Sequence, residues 1–212
     1  MYFFDLDGTL LDSNGIWLDI DLEFLGQHGV SPVPPDYTDY VTHHNFEDSA
    51  EYTRQRLGLE MAPGEIIAAW QELAREAYTQ QLELKPGARD FLERAMADNI
   101  RCALLTSCIP DLCHAALARH QLTPFFEAIL TTAELGLEKR DPALYRTLAQ
   151  RFDLANGDCV LFDDSPVYCA AAKEAGWQVF GMADPVFDDR AEEMAALCAP
   201  GRFPFSFLQP IP

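Results

Sequence analysis

The chain has 212 residues, of which 49% are hydrophobic and 23% charged, enough to build a real core and contrary to disordered, collagen-like or low-complexity classes. Fifteen basic residues against 34 acidic ones give a formal net charge of −19. Such a chain is repelled by phosphate backbones and anionic lipid surfaces, which argues against nucleic acid and membranes as partners and sets a puzzle for any anionic substrate.

Tyr2-Phe3-Phe4 predicts a buried strand, and Asp5-Leu6-Asp7-Gly8-Thr9 the loop at its carboxyl end. Ile16, Trp17, Ile20, Phe24 and Leu25 suit one face of a helix over 16–28. Ser31-Pro32-Val33-Pro34-Pro35 breaks the chain, a second helix follows over 46–58, and Thr42-His43-His44-Asn45 falls in a loop between helices. Pro63-Gly64 opens a longer helix, with Ile66, Ile67, Trp70, Leu73, Ala74, Ala77 and Tyr78 at three- and four-residue steps. Pro63 sits in the first turn, where proline is tolerated.

From Lys85-Pro86-Gly87 the pattern alternates. A helix over 88–98 precedes the apolar run Cys102-Ala103-Leu104-Leu105, which stops at Thr106-Ser107. Pro110 starts a helix to about Gln121, Ala128-Ile129-Leu130 is a strand, and another helix spans 142–152. Cys159-Val160-Leu161-Phe162 runs into Asp163-Asp164-Ser165-Pro166, an alanine-rich helix ends at Gly176, and Trp177-Gln178-Val179-Phe180 is a last strand. From Asp184 the sequence predicts a helix and a Phe/Pro-rich tail that carries no readable role. The six cysteines form no C-x-x-C pair and lie in apolar stretches, so they are expected reduced and packed as small hydrophobes. No basic segment precedes an apolar one at the amino end, and no apolar run approaches 18 residues, so the expected location is cytoplasmic.

Short apolar runs alternating with helices predict an α/β protein with a doubly wound, Rossmann-like parallel sheet covered on both faces. The expected division is a core of residues 1–14 and 85–212 and a smaller all-helical cap of residues 15–84, inserted after the first strand. Ligands of such sheets bind at the carboxyl ends of the strands. Those ends here carry Asp5 and Asp7, Thr106 and Ser107, and Asp163 and Asp164.

Four carboxylates at one edge repel each other unless a cation sits among them, and a hard divalent ion with oxygen ligands, Mg²⁺ above all, is the natural answer. An EF-hand is excluded, because Gly8 stands fourth from Asp5 where that loop needs glycine sixth. Taken alone, Asp-x-Asp-Gly is equally a solvated turn, and Asp163-Asp164-Ser165-Pro166 equally a helix cap. Their joint appearance at strand ends is what points to a site.

Asp5-Leu6-Asp7-Gly8-Thr9-Leu10-Leu11-Asp12-Ser13 resembles the first motif of the haloacid dehalogenase superfamily, in its phosphatase branch. Leu104-Leu105-Thr106-Ser107 is similar to the second motif, Glu138-Lys139-Arg140-Asp141-Pro142 to the third, and Val160-Leu161-Phe162-Asp163-Asp164-Ser165-Pro166 to the fourth. The helical insertion stands where members resembling phosphoglycolate phosphatase and β-phosphoglucomutase carry a mobile cap. The resemblance implies that Asp5 is the nucleophile, attacking phosphorus to form an aspartyl-phosphate. Asp7 is implied as the acid that protonates the departing alkoxide and the base that activates water. Thr106 offers a hydroxyl and Ser107 a backbone N–H to a phosphoryl oxygen, while Lys139, one of only three lysines, neutralises its charge. Mg²⁺ is implied to hold Asp5 and to be ligated by the backbone carbonyl of Asp7 and the side chain of Asp164, with Asp163 close to it or its waters.

Arg140 departs from the family pattern by replacing a proline, and Val167-Tyr168 replaces a frequent Asn-Gly. In the cap, His44 and Arg54 are candidates for a substrate's polar end. The expected activity is Mg²⁺-dependent hydrolysis of a small phosphomonoester. The alternatives are a sugar-phosphate phosphomutase of the β-phosphoglucomutase type and, outside enzymes, an inactive scaffold that binds a partner.

Overall fold

Five short apolar runs pair into one sheet in a computed structural model, which describes residues 1–43 and 46–211. The strands are β1 (Tyr2–Phe4), β2 (Cys102–Thr106), β3 (Ala128–Thr131), β4 (Val160–Asp163) and β5 (Gln178–Gly181). They are parallel, in the order β3-β2-β1-β4-β5. Phe4 lies opposite Leu104 on one side and Phe162 on the other. Successive strand side chains point to opposite faces. Phe3 therefore packs against Trp177 on one face, with ring centroids 4.5 Å apart, while Phe4 stacks on Phe162 at 4.7 Å on the other. Burial on both faces is why these strands read as unbroken apolar runs.

Strand order positions the site. From β1 the chain steps outward through β2 and β3, then returns to β4 on the far side of β1. The order reverses between β1 and β4, the point at whose carboxyl ends such sheets bind their ligands. Asp5 follows β1 directly, and its N–H donates to the Phe162 carbonyl at 2.9 Å, keeping the two strand ends in register.

The chain divides into two compact units, Met1–Asn14 with Leu82–Pro212 and Gly15–Gln81. The second boundary falls at 81/82 rather than the expected 84/85, because the returning chain pairs with the outgoing one. Asp12 N–H donates to Glu83 O at 3.0 Å and Lys85 N–H to Leu10 O at 2.9 Å. No described helix is long and apolar enough to cross a membrane.

The unit Gly15–Gln81 contains α1 (Ile16–Gln27), α2 (Pro35–His43), α3 (Phe46–Leu57) and α4 (Pro63–Glu76), the last running on through a π-helical turn at Ala77–Gln81. Ile16, Ile20, Phe24 and Leu25 of α1 are buried, and Phe24 meets Trp70 of α4 edge-on at 5.8 Å. Ala62 has no side-chain acceptor to cap α4, but the Glu65 carboxylate accepts its N–H at 2.7 Å. Helix α2 corrects the sequence reading. The proline cluster marks a break, yet Pro35 is the first residue of a helix, where a missing N–H costs nothing. Thr42 and His43 therefore belong to α2 and not to a loop, while His44 and Asn45 lie outside the described residues.

The sheet-bearing unit adds α5 (Ala88–Ala97), α6 (Pro110–Arg119), α7 (Thr132–Leu135), α8 (Pro142–Arg151), α9 (Pro166–Glu174) and α10 (Ala191–Leu197). Leu144, Leu148 and Ala149 of α8 and Ala171 and Ala172 of α9 join Phe3 and Leu161 in one core. The tail has a structural role the sequence did not disclose. Phe205 N–H donates to Gly181 O at 2.8 Å, extending beyond β5, and the buried rings of Phe205 and Phe207 pack on Phe91. No disulfide joins the six cysteines, and all but Cys108 are buried.

Candidate active site

Two strand ends and one helix approach supply the charged groups. Asp5 is buried directly after β1, and Asp163 and Asp164 are buried at the end of β4. Pro166 ends the extended segment by starting α9, and Asp163 Oδ1 accepts the Ser165 N–H at 2.9 Å. The Asp163 side chain is thereby fixed at the turn. One carboxylate oxygen from each of Asp5, Asp163 and Asp164 lies within 4.8 Å of the others.

Lys139 comes from the segment before α8. Asp141 caps that helix by accepting the Ala143 N–H at 2.8 Å, and Pro142 occupies its first turn. Lys139 Nζ lies 2.9 Å from Asp5 Oδ1 and 2.6 Å from Asp163 Oδ2. The Tyr168 ring centroid is 4.6 Å from the same nitrogen, within cation–π range. Tyr145 Oη donates toward the Lys139 carbonyl at 2.9 Å and lies 3.2 Å from that of Tyr168, so one buried phenol joins both segments.

Burial alone would discharge Lys139, but Asp163 and Asp5 outweigh it and hold the ammonium well above its ordinary range. Burial pushes Asp163 upward, opposed by Lys139 and reinforced by Asp5. Burial likewise pushes Asp164 upward, and Asp163 and Asp5 add to the effect. Lys139 is the only cation paired with this cluster among the described residues. Fully ionised, the three carboxylates would exceed one ammonium by two negative charges, the charge one divalent cation would balance. With three hard oxygen donors converging, the residues fit a metal of the Mg²⁺ class.

The other expected residues sit nearby in sequence and fold. Asp7 is partly exposed, and Ser13 Oγ donates to its Oδ1 at 2.6 Å while accepting the Gly8 N–H at 3.3 Å. Asp7 supplies no side-chain oxygen to the three-carboxylate cluster. Thr106 is buried at the end of β2, its Oγ1 accepting the Cys108 N–H at 3.0 Å, and Ser107 beside it is exposed. Arg140 faces solvent and pairs with Glu138. Arg54, in the helical unit, forks onto Glu51 with nitrogen–oxygen distances of 2.9 and 2.6 Å.

Sequence reasoning assigned no role in the site to Asn14 or Tyr145. Asn14 Nδ2 donates to Asp164 Oδ2 at 2.6 Å, and Thr9 Oγ1 donates to Asp164 Oδ1 at 3.3 Å. These contacts bridge about 150 positions of chain, so no local spacing announces them.

The profile of a family described as haloacid dehalogenase-like hydrolase matches residues 2–182. A phosphoglycolate phosphatase from Pseudomonas putida is 29% identical over 192 residues, 86% of this chain and 68% of its own length. A phosphorylated carbohydrates phosphatase from Thermotoga maritima is 23% identical over 189 residues, covering 89% of this chain and 87% of that protein. The solved structure of a hydrolase of this family from Deinococcus radiodurans, with bound phosphate and sodium, superposes with a TM-score of 0.72 at 23% identity. It covers 94% of this chain and 88% of that one.

Proposed function

Because the chain belongs to the haloacid dehalogenase-like hydrolase family, we propose that it is a Mg²⁺-dependent phosphatase that hydrolyses a small phosphomonoester through a phosphoaspartate on Asp5. The observation that carries this reading is the cluster of Asp5, Asp163 and Asp164 around one buried lysine. The names of its relatives, a phosphoglycolate phosphatase and a phosphorylated carbohydrates phosphatase, support a small phosphorylated metabolite as substrate.

Asp5 and Asp164, with the carbonyl of Asp7 and with Asp163 beside them, would hold Mg²⁺, which supplies Lewis-acid stabilisation of phosphoryl charge. A carboxylate oxygen of Asp5 forms a bond to phosphorus as the ester P–O bond breaks. Asp7 gives its proton to the departing alkoxide, releasing the alcohol. Asp7 then takes a proton from water, whose oxygen attacks the phosphoaspartate, releasing inorganic phosphate and restoring Asp5. Ser13, donating to Asp7 at 2.6 Å, orients that carboxyl group. Lys139 balances the charge of Asp5 before attack, and Thr106 and Ser107 donate to the phosphoryl oxygens.

The −19 net charge does not forbid a phosphate substrate. Screening confines surface charge to about 8 Å at physiological salt, whereas Lys139 and the cation act at contact distance. Small esters are therefore favoured over polymers. Substrate choice is assigned to the inserted helical unit, with His44 and Arg54 the first residues to vary.

The test is release of inorganic phosphate from a panel of phosphate esters. Turnover should require Mg²⁺, stop with EDTA and vanish in Asp5→Asn with the fold intact. Turnover retained by Asp5→Asn would remove that residue from the nucleophile's role. Isomerisation of β-glucose 1-phosphate without phosphate release would replace hydrolysis with phosphomutase chemistry.

A further inference from the structure

We propose that Asn14 is a positioning residue for Asp164, holding that carboxylate in the orientation divalent-cation binding needs; this rests on the metal reading above. The two oxygens of Asp164 are approached from different residues of the segment after β1. Asn14 Nδ2 donates to Oδ2 at 2.6 Å, and Thr9 Oγ1 donates to Oδ1 at 3.3 Å. A carboxylate held at one oxygen still turns about its Cβ–Cγ bond. Donors on both oxygens fix its plane.

Backbone geometry gives a second, independent indication. Gly8 has φ +72°, and a Cβ placed there would fall against both Asn14 Nδ2 and the carboxyl of Asp164. The Asn14–Asp164 contact therefore runs through space that glycine leaves open. A side chain at position 8 would separate the pair.

The chemistry of the donor also fits. An amide nitrogen is neutral, so Asn14 orients the carboxylate without cancelling its charge, as a lysine there would. Each carboxylate oxygen has two lone pairs, so one can accept from Asn14 and still bind a cation. Asn14 is only partly buried and lies outside the apolar core, so packing does not explain an amide at this position. Donors that orient ligands in this way typically affect metal affinity by 10–100-fold.

The experiment measures Mn²⁺ binding directly, by electron paramagnetic resonance of the free ion, with Mg²⁺ as competitor. It compares wild type, Asn14→Ala and Asp164→Ala as full-length proteins, with thermal unfolding of each metal-free protein as the fold control. Asp164→Ala should abolish specific binding. Asn14→Ala should weaken it about tenfold while leaving metal-free unfolding unchanged. If Asn14→Ala does not fold, Asn14→Ser serves, since its hydroxyl is too short to span the contact. Binding by the Asn14 variant within twofold of wild type, with binding lost in Asp164→Ala, overturns the proposal alone. Binding undiminished in Asp164→Ala overturns the metal reading and this proposal with it.

Discussion

Lys139 Nζ lies 2.6 Å from Asp163 Oδ2 with both side chains wholly buried, and its other carboxylate partner is Asp5. One ammonium thus serves two acids from different strands. Removing it strands Asp163 without a counter-charge, a loss that typically costs about 3–5 kcal/mol. Lys139→Ala is therefore expected to lower stability by about that amount and to abolish most phosphate release. Denaturant unfolding checks the first outcome and a phosphate assay the second. A variant as stable as wild type would show the pair to be structurally dispensable.

Gly8→Ala should damage the site more than an exposed glycine would. The position adopts φ +72°, which costs a residue with a side chain about 1–2 kcal/mol, and the added methyl would meet the Asp164 carboxyl. The expected outcome is a modest loss of stability with a much larger loss of metal-dependent turnover. Comparing melting temperature with the Mg²⁺ concentration needed for half-maximal activity separates the two effects.

Asp21 gives a pH prediction within the helical unit. Burial pushes its pKa from 3.8 to about 6, partly opposed by the hydrogen bond from Tyr37. Because the folded pKa lies above the unfolded one, the folded state holds this proton more tightly. Its contribution is fully present below about pH 3.8 and is lost as pH rises through about 6. Asp21→Asn removes that dependence and keeps an acceptor for Tyr37. At pH 7.5 the variant should be more stable by up to roughly 3 kcal/mol, less whatever solvent screening removes, with the advantage vanishing near pH 4. Unfolding both proteins across this range checks the sign, and equal stability at pH 7.5 would refute it.

Phe207 tests the tail. Its ring is fully buried, 5.2 Å from that of Phe91, and its carbonyl accepts from Arg94 Nη2 at 2.9 Å. Phe207→Ala is expected to cost about 3–5 kcal/mol, as for other buried aromatics. Chemical unfolding measures it. A loss below about 1 kcal/mol would mean that the tail merely rests on the sheet.

Strand positions were legible in the sequence because burial on both faces leaves unbroken apolar runs such as Cys102–Thr106 and Val160–Asp163. The acidic groups were legible because they stand where those runs stop, and Lys139 because it occupies the third-motif position in a chain with only three lysines. Helix α2 was hidden because proline both ends helices and begins them, and only the surrounding fold decides which. The tail was hidden because Phe205 and Phe207 find their partners on Phe91, far back along the chain.

The sequence by itself determined the alternation of strands and helices, the inserted helical segment and which residue types close each strand. Only the tertiary structure decided the remaining meetings: that Lys139 reaches Asp163 as well as Asp5, that Asn14 reaches Asp164, and that Tyr145 ties Lys139 to the segment after β4. Periodicity is a local property set by which faces are buried. These contacts are set by strand order and by the path of the chain between strands, and no local pattern of residues encodes either.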